Sequence, residues 1–422
     1  MILQSFPILT VWATIALATQ SPFPGLKFDF PHAASIPTPL NIHVDRGFLN
    51  FTLEKVRGYT SLATQFANWT STGPPGRAIK DLANFWAGDY NWTNVESLIN
   101  KKFNHYAITV PGDENYTDSI PIHFIHEESN SSTAMPLLLL HGWGSSHLEW
   151  DLVTDMLVQQ SAGNRSFHIV AVDLPGFGFS PAPIRTGLGA REMAVAFDKL
   201  MKQLGYDRYG LVSTDIGWFV GMQLVDVAES SIVGHFMDAF PVVPTESDLM
   251  RQAKNETTEE ENIYMNAVAE WTAKYGTHLP MLTQKPEMVA LAFADTPVGF
   301  ASWLWDLKHS CSNGYPYSNE EIITDTMMQW IQSPYGSIRT YHDLSAPGDF
   351  PHTDVPSGVT VFGFGNEPFP EVGAFSLTPR SWIERRGDNL TYYNRYEFGG
   401  HWPAKSVPDL WVEELRKFFT TV

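Results

Sequence analysis

Three scarcities bound what this chain can be. It has one cysteine in 422 residues, Cys311, so no intramolecular disulfide forms, and a chain of this length can hold itself together by burial alone. Basic residues are short as well: 27 Lys and Arg stand against 46 Asp and Glu, a formal charge of −19 without long runs of one sign. Such a chain repels phosphate backbones and anionic lipid surfaces, which argues against nucleic acid as a partner. Long apolar runs are scarce too, and one stands at the N-terminus. Met1 to Thr19 carries no charged side chain, Phe6 to Leu17 is largely apolar, and Ala16-Leu17-Ala18 is a small-x-small cleavage pattern. Residues 1–18 therefore read as a secretory signal peptide. Its only positive charge is the terminal amine, so membrane association through an uncleaved segment stays open.

What is present is the composition of a globular enzyme, 43% hydrophobic and 17% charged, with eight of nineteen asparagines opening an Asn-x-Ser/Thr sequon. These are Asn50, Asn68, Asn91, Asn115, Asn130, Asn164, Asn255 and Asn389. Their number favours the secretory pathway and an N-glycosylated product, secreted or lumenal.

One stretch organises the rest. Tyr209-Gly210-Leu211-Val212 reads as a short buried strand, and Trp218 to Val225 as a helix. Between them lies Ser213-Thr214-Asp215-Ile216-Gly217. A strand that reverses at once into a helix strains its apex and demands small residues two places before and two after, here Ser213 and Gly217. Asp215 at that apex is either a helix N-cap or a nucleophile; a carboxylate needs no proton removed before it attacks carbon and leaves an alkyl-enzyme ester. The string resembles the nucleophile elbow of an α/β-hydrolase with Asp in place of Ser.

The flanking segments fit that fold class, a mostly parallel twisted sheet flanked by helices. His105 to Val110 and Ile120 to His126 are expected as a strand pair, and Met135 to Leu140, Phe167 to Val172, Tyr209 to Thr214, Gly234 to Phe240, Gly358 to Phe364 and Thr391 to Tyr396 as further strands. Ala190 to Leu204 and Pro408 to Phe419 read as helices, Tyr59 to Ile99 as helical, and Pro22 to Asp45 as extended. The acidic run Glu259-Glu260-Glu261 reads as a solvated face.

Several strings resemble those of the microsomal-type epoxide hydrolases, with the fungal secondary-metabolism type as one home. Asp81 to Trp92, then Asn100 and Phe103, is similar to their N-terminal domain. His141-Gly142-Trp143 after a buried strand resembles their oxyanion loop, and Asp173-Leu174-Pro175-Gly176-Phe177-Gly178-Phe179-Ser180 the turn after the fourth strand. Phe293 to Gly299 followed by Trp303, and Ser337-Ile338-Arg339-Thr340-Tyr341, resemble segments of the helical cap, and Gly399-Gly400-His401 the histidine loop. The resemblance implies five parts: a signal peptide (1–18), an N-terminal meander (22–130), a first core segment (131–244), a helical cap (245–347) and a second core segment (348–422). It also implies a reaction, in which a lipophilic epoxide and water give a vicinal diol without cofactor or metal. Asp215 would be the nucleophile, Trp143 and Ile216 the oxyanion donors, and His401 the base that frees the ester. The orienting acid falls at Glu367, at the end of a strand, with Glu371 as competitor. Tyr341 matches one of the family's two cap tyrosines. The position of the other is His278, with Tyr275 one helical turn earlier. Gly144 stands where the family has Pro, which leaves the loop freer. A homodimer remains open.

Two other readings share the fold. A haloalkane dehalogenase uses the same Asp and His but cradles halide with a Trp beside the nucleophile, where this chain has Ile216. A catalytically impaired binding protein would not need Asp215, Glu367 and His401 together. Trp303, Trp305 and Trp330 in the cap suggest either packing or a lipophilic pocket.

Overall fold

Short runs such as Leu137-Leu138-Leu139-Leu140 and Ile169-Val170-Ala171-Val172 are fully buried on both faces, the signature of central strands in a parallel sheet covered by helices. In the computed structural model, which describes residues 26–61, 67–160, 165–344, 352–365, 368–386 and 389–422, these runs form a nine-stranded sheet. Its strands are β1 (Thr38–Pro39), β2 (His105–Val110), β3 (Ile120–Glu127), β4 (Met135–Leu140), β5 (Phe167–Val172), β6 (Tyr209–Ser213), β7 (Ile232–Met237), β8 (Ser357–Gly363) and β9 (Leu390–Gly399). The order is β1-β2-β3-β5-β4-β6-β7-β8-β9. The pairs β1–β2, β2–β3 and β3–β5 are antiparallel, and all others are parallel. The carboxyl ends of β4, β6, β7, β8 and β9 therefore share one edge, where an α/β sheet gathers its functional loops.

Among the described residues, seven α-helices lie between β7 and β8: Glu246–Ala253, Glu259–Glu270, His278–Gln284, Pro286–Phe293, Pro297–Cys311, Asn319–Trp330 and Tyr335–Leu344. They roof that edge. The last is seated by the Trp143 indole N–H, which donates to Ser337 O at 2.9 Å, and by backbone contact of Gly336 with Gly176, where a Cβ on Gly176 would lie 2.9 Å from the Gly336 carbonyl carbon. The Asp173 to Ser180 turn is thus a seat for the cap, and its glycines serve packing.

The N-terminal region departs from the expected helical Tyr59 to Ile99. Helices occupy Arg46–Arg57, Gly76–Gly88 and Trp92–Lys102, and Gly73-Pro74-Pro75 interrupts between the first two, since proline removes a donor and restricts its predecessor. Buried Glu96 fastens the preceding extended segment by accepting Val44 N–H at 2.8 Å and the Trp92 indole at 3.0 Å.

The acidic run is likewise only partly solvated. Glu259 and Glu260 are exposed, but Glu261 is buried, where it completes a capping box with Thr258 and accepts the Trp382 indole N–H at 2.8 Å and an Arg251 bond at 3.1 Å. Three donors of this kind explain why its carboxyl, despite burial, is held down at about 2.

The expected signal peptide lies outside the described residues, as does Asn164. Among the described residues no helix is long and apolar enough to cross a membrane. Of the other sequon asparagines, Asn50, Asn68, Asn91, Asn115, Asn130 and Asn255 are exposed and Asn389 is half-buried.

Candidate active site

The elbow has the strain its sequence demands. Asp215 opens the helix Asp215–Val227 with φ of +45°, in the left-handed region that a non-glycine residue enters only when its surroundings force it. The force comes from close packing. A Cβ on Gly217 would lie 2.5 Å from Leu140 O and 2.7 Å from His141 O, and one on Gly142 would lie 2.8 Å from the Asp215 Cβ. Glycine at both places lets the helix and the β4 loop close onto the aspartate.

That closure aims two backbone donors. Trp143 N–H donates to Asp215 Oδ1 at 2.7 Å, and the Ile216 N–H also bonds the carboxylate. Burial opposes the charge, but the His401 imidazole and these two N–H groups outweigh it and hold Asp215 below the usual carboxylate range. Its other oxygen, Oδ2, lies 3.3 Å from His401 Nε2, and the two side chains keep 19% and 20% of their surface accessible.

His401 arrives on a loop only glycine could build. Gly399 and Gly400 have φ of +113° and +75°, and a Cβ on Gly400 would lie 2.8 Å from the Ser312 carbonyl carbon. The His401 N–H then donates to Cys311 O at 2.8 Å, which ties the histidine loop to the end of a cap helix. Burial favours neutral imidazole, but Asp215, Glu149 and Asp238 together raise its pKa.

The sequence candidates for the remaining roles separate. Tyr341 sits beside the oxyanion loop, its ring 6.1 Å from that of Trp143. Burial, then the charge of Asp215, pushes its phenol well above the usual range, so it keeps its proton. His278 is buried, with its ring 6.3 Å from that of Tyr341 and a hydrogen bond to the Tyr275 backbone. Burial lowers it to about 4 against the pull of Asp215. Tyr275 instead donates its hydroxyl to Glu371. The structure therefore joins two of the alternative candidates, Tyr275 and Glu371, to each other. Glu367 lies outside the described residues. Gly144 takes φ of +74°, a conformation closed to the proline of the family's loop, and a Cβ there would meet Leu304 at 2.8 Å. Of the three cap tryptophans, Trp303 packs on Trp143 at 5.4 Å. Trp305 meets Trp69 at 5.2 Å, and Trp330 donates to Thr52 at 3.0 Å; both serve packing against the N-terminal region.

Two acids escaped the sequence reading. Glu149 follows the oxyanion loop, accepts Gly142 N–H at 3.0 Å, and is pushed by burial up to about 7. Asp238 follows β7 and is pushed by burial up to about 6. Their one available signal was an acid close behind a strand end. A separate cluster braces the loop from behind. Asp173 accepts His123 Nδ1 at 2.7 Å and His147 Nδ1 at 2.9 Å, plus the N–H groups of His147 at 2.7 Å and Phe179 at 2.8 Å. The spacing of His123, His147 and Asp173 would suit a metal ion, but each carboxylate oxygen already accepts two N–H donors, so the ring protons occupy the positions an ion would need.

Comparison with known proteins places this geometry. Residues 37–150 match the family described as epoxide hydrolase N terminus, and residues 135–342 the alpha/beta hydrolase fold. The chain is 29% identical over 363 residues to a Stigmatella aurantiaca relative that bears an epoxide hydrolase name, covering 83% of this chain and 77% of that one. It is 24% identical over 370 residues to epoxide hydrolase 1 of Sus scrofa, covering 81% and 79%. Among solved structures, Aspergillus niger epoxide hydrolase superposes with a TM-score of 0.76 at 21% identity over 94% of this chain and 100% of that one. Juvenile hormone epoxide hydrolase of Bombyx mori superposes with a TM-score of 0.74 at 20% identity over 92% and 94%.

Proposed function

We propose that this chain, which belongs to the epoxide hydrolases of the α/β-hydrolase fold, converts a lipophilic epoxide to a diol in two steps through an ester on Asp215. One observation carries the reading: Asp215 has one oxygen fixed by Trp143 N–H at 2.7 Å and the other turned to His401 at 3.3 Å. In the first step Oδ2 forms a bond to an epoxide carbon as the ring C–O bond breaks, and Tyr341, with His278, donates to the oxygen as it gains charge. In the second, His401 Nε2 takes a proton from water, whose oxygen adds to the ester carbon. The resulting oxyanion develops on Oδ1, already facing the N–H groups of Trp143 and Ile216. Collapse breaks the acyl–oxygen bond, His401 returns its proton to the leaving alkoxide, the second water proton leaves the new Asp215 carboxyl to replace the one that Tyr341 gave to the oxygen freed in the first step, and the diol departs. Trp303 against Trp143, with Phe293 stacked on it at 4.8 Å, supports an apolar substrate.

The haloalkane reading is less favoured by the site. Ile216 offers no donor side chain, and the nearby Trp143 indole is already bonded to Ser337 O at 2.9 Å.

Asp215→Asn is expected to abolish diol formation from styrene oxide. His401→Gln is expected to form the ester and stall, seen as an adduct of one substrate mass on the intact protein. Wild-type turnover with no adduct in His401→Gln would contradict the scheme.

A further inference from the structure

We propose that Asp238 is a second carboxylate for His401, a positioning residue that supports the imidazole from below while it takes the proton of the hydrolytic water. The inference deepens the two-step reading above and rests on it.

Topology puts the residue there. Ser213, the last residue of β6, is in register with Met237, the last of β7, so Asp238 emerges next to Thr214, one residue before the nucleophile. The His401 loop starts from β9, on the far side of β8. To meet Asp215 at 3.3 Å it must come back across the ends of β8 and β7, and an acid at the end of β7 lies under that path.

The side chain is built for a charge that is not always present. Asp238 is 5% exposed. Its Oδ2 accepts the Trp411 indole N–H at 2.9 Å from the closing helix Pro408–Thr421, and the Thr214 hydroxyl and its own backbone N–H also favour its charged form. These neutral donors do not offset its burial, which still pushes it up to about 6, and a buried carboxylate gains from a positive group beside it. The imidazolium formed during hydrolysis is such a group: His401 helps offset the effect of burial on Asp238, and Asp238 helps raise His401. Among the described residues, the other ionisable groups around His401 have engagements of their own. Asp215 is the nucleophile, Glu149 is bonded to Gly142 N–H at 3.0 Å, and His278 faces it from the cap as a neutral ring. Lys308, near Glu149, is paired with Asp325 at 2.9 Å. Asp238 itself takes no proton in the cycle. The proton from water resides on His401, and the aspartate stays ionised to stabilise it.

Asp238→Asn keeps the size of the side chain and an acceptor for Trp411, and removes only the charge. In rapid-quench single turnovers with styrene oxide, ester formation is expected to stay within about threefold of wild type and ester hydrolysis to slow by at least about tenfold. The acid limb of the hydrolysis rate should move to lower pH, because losing a negative neighbour lowers the pKa of His401. Asp238→Glu should recover part of the hydrolysis rate. The proposal is overturned if hydrolysis and its acid limb are unchanged in Asp238→Asn. It is equally overturned if both half-reactions and the melting temperature fall together with no rescue by Glu, which would mark Asp238 as a prop for Trp411 alone. An active wild type with no ester in His401→Gln would instead overturn the two-step reading and this inference with it, so the two failures are distinguishable.

Discussion

The site has two halves of different construction. The half contributed by the sheet, Asp215 with Trp143, Ile216 and His401, is fixed by backbone: parallel register, left-handed residues at 215, 399 and 400, and glycines whose replacement would collide with main-chain or Asp215 atoms. The half contributed by the cap, Tyr341 and His278, is carried on helices away from the strand ends, the Tyr341 helix seated by one side-chain bond, Trp143 to Ser337 O, and by the close approach of Gly336 to Gly176. The difference teaches where this enzyme has room to vary. A carboxylate that attacks carbon tolerates little displacement, whereas a donor to a nascent alkoxide can be a phenol or an imidazole if either reaches the oxygen.

The comparison breaks first if the rigid half proves tolerant. Gly217→Ala would push a methyl group into Leu140 O and His141 O, at 2.5 and 2.7 Å, and neither oxygen can yield without parting the nucleophile helix from β4. Overpacking of this kind costs about 1–3 kcal/mol or more. The expected result is a clear fall in melting temperature together with near-complete loss of ester formation. A variant with wild-type kinetics would show that the elbow is not held by this contact.

The softer half is sharpened by Tyr341→Phe and His278→Leu. Removing the phenol should slow ester formation by about 10²-fold, the scale of losing one donor to a developing oxyanion, and leave the hydrolysis of ester already formed nearly unchanged. His278→Leu is expected to have a smaller effect of the same kind, about tenfold, since the ring N–H must leave the Tyr275 backbone to reach the alkoxide. Because burial holds this imidazole down at about 4, it is neutral through the physiological range. Ester formation should therefore show no His278 titration between roughly pH 6 and 8. An ester-formation rate that falls as pH rises through that range in wild type, but not in His278→Leu, would mean that the imidazolium is the donor.

The same division decides what could be read in the sequence. Asp215 was legible because a strand that turns at once into a helix demands small residues two places before and after its apex, whereas His141-Gly142-Trp143 and Gly399-Gly400-His401 were read through their resemblance to a family's strings. The cap was less so. The resemblance put the first donor at His278 with Tyr275 one helical turn earlier, but the segment contains a wider turn at Trp271–Tyr275 before a new helix starts at His278, so the two do not share one regular helix. Asp238 was hidden for a related reason. An apolar reading carried the strand through Phe240, whereas β7 ends at Met237, and a residue taken as mid-strand becomes one on the functional edge. Glu149 and Glu261 are buried by partners more than one helical turn away in sequence, such as Gly142 and Trp382, and no local pattern encodes that. Pairing of Tyr275 with Glu371 spans 96 residues and lies equally beyond reach.

The smallest expected effect is the most discriminating between the two cap candidates. Tyr275 is nearly buried, and burial followed by the Glu371 bond and charge keeps its phenol protonated, a state in which it could in principle donate to an alkoxide. Its one hydroxyl proton is already given to Glu371, however, and that carboxylate is mostly exposed. Taking the proton back would cost a charge-assisted hydrogen bond, and an alkoxide gains nothing from a donor so committed. Tyr275→Phe should therefore change ester formation by no more than about twofold, with at most a slight loss of stability, since breaking a solvent-accessible bond leaves Glu371 free to be hydrated. A loss as large as that of Tyr341→Phe would mean that the turn at Trp271–Tyr275 rewinds when substrate binds and exchanges Tyr275 for His278 in the site.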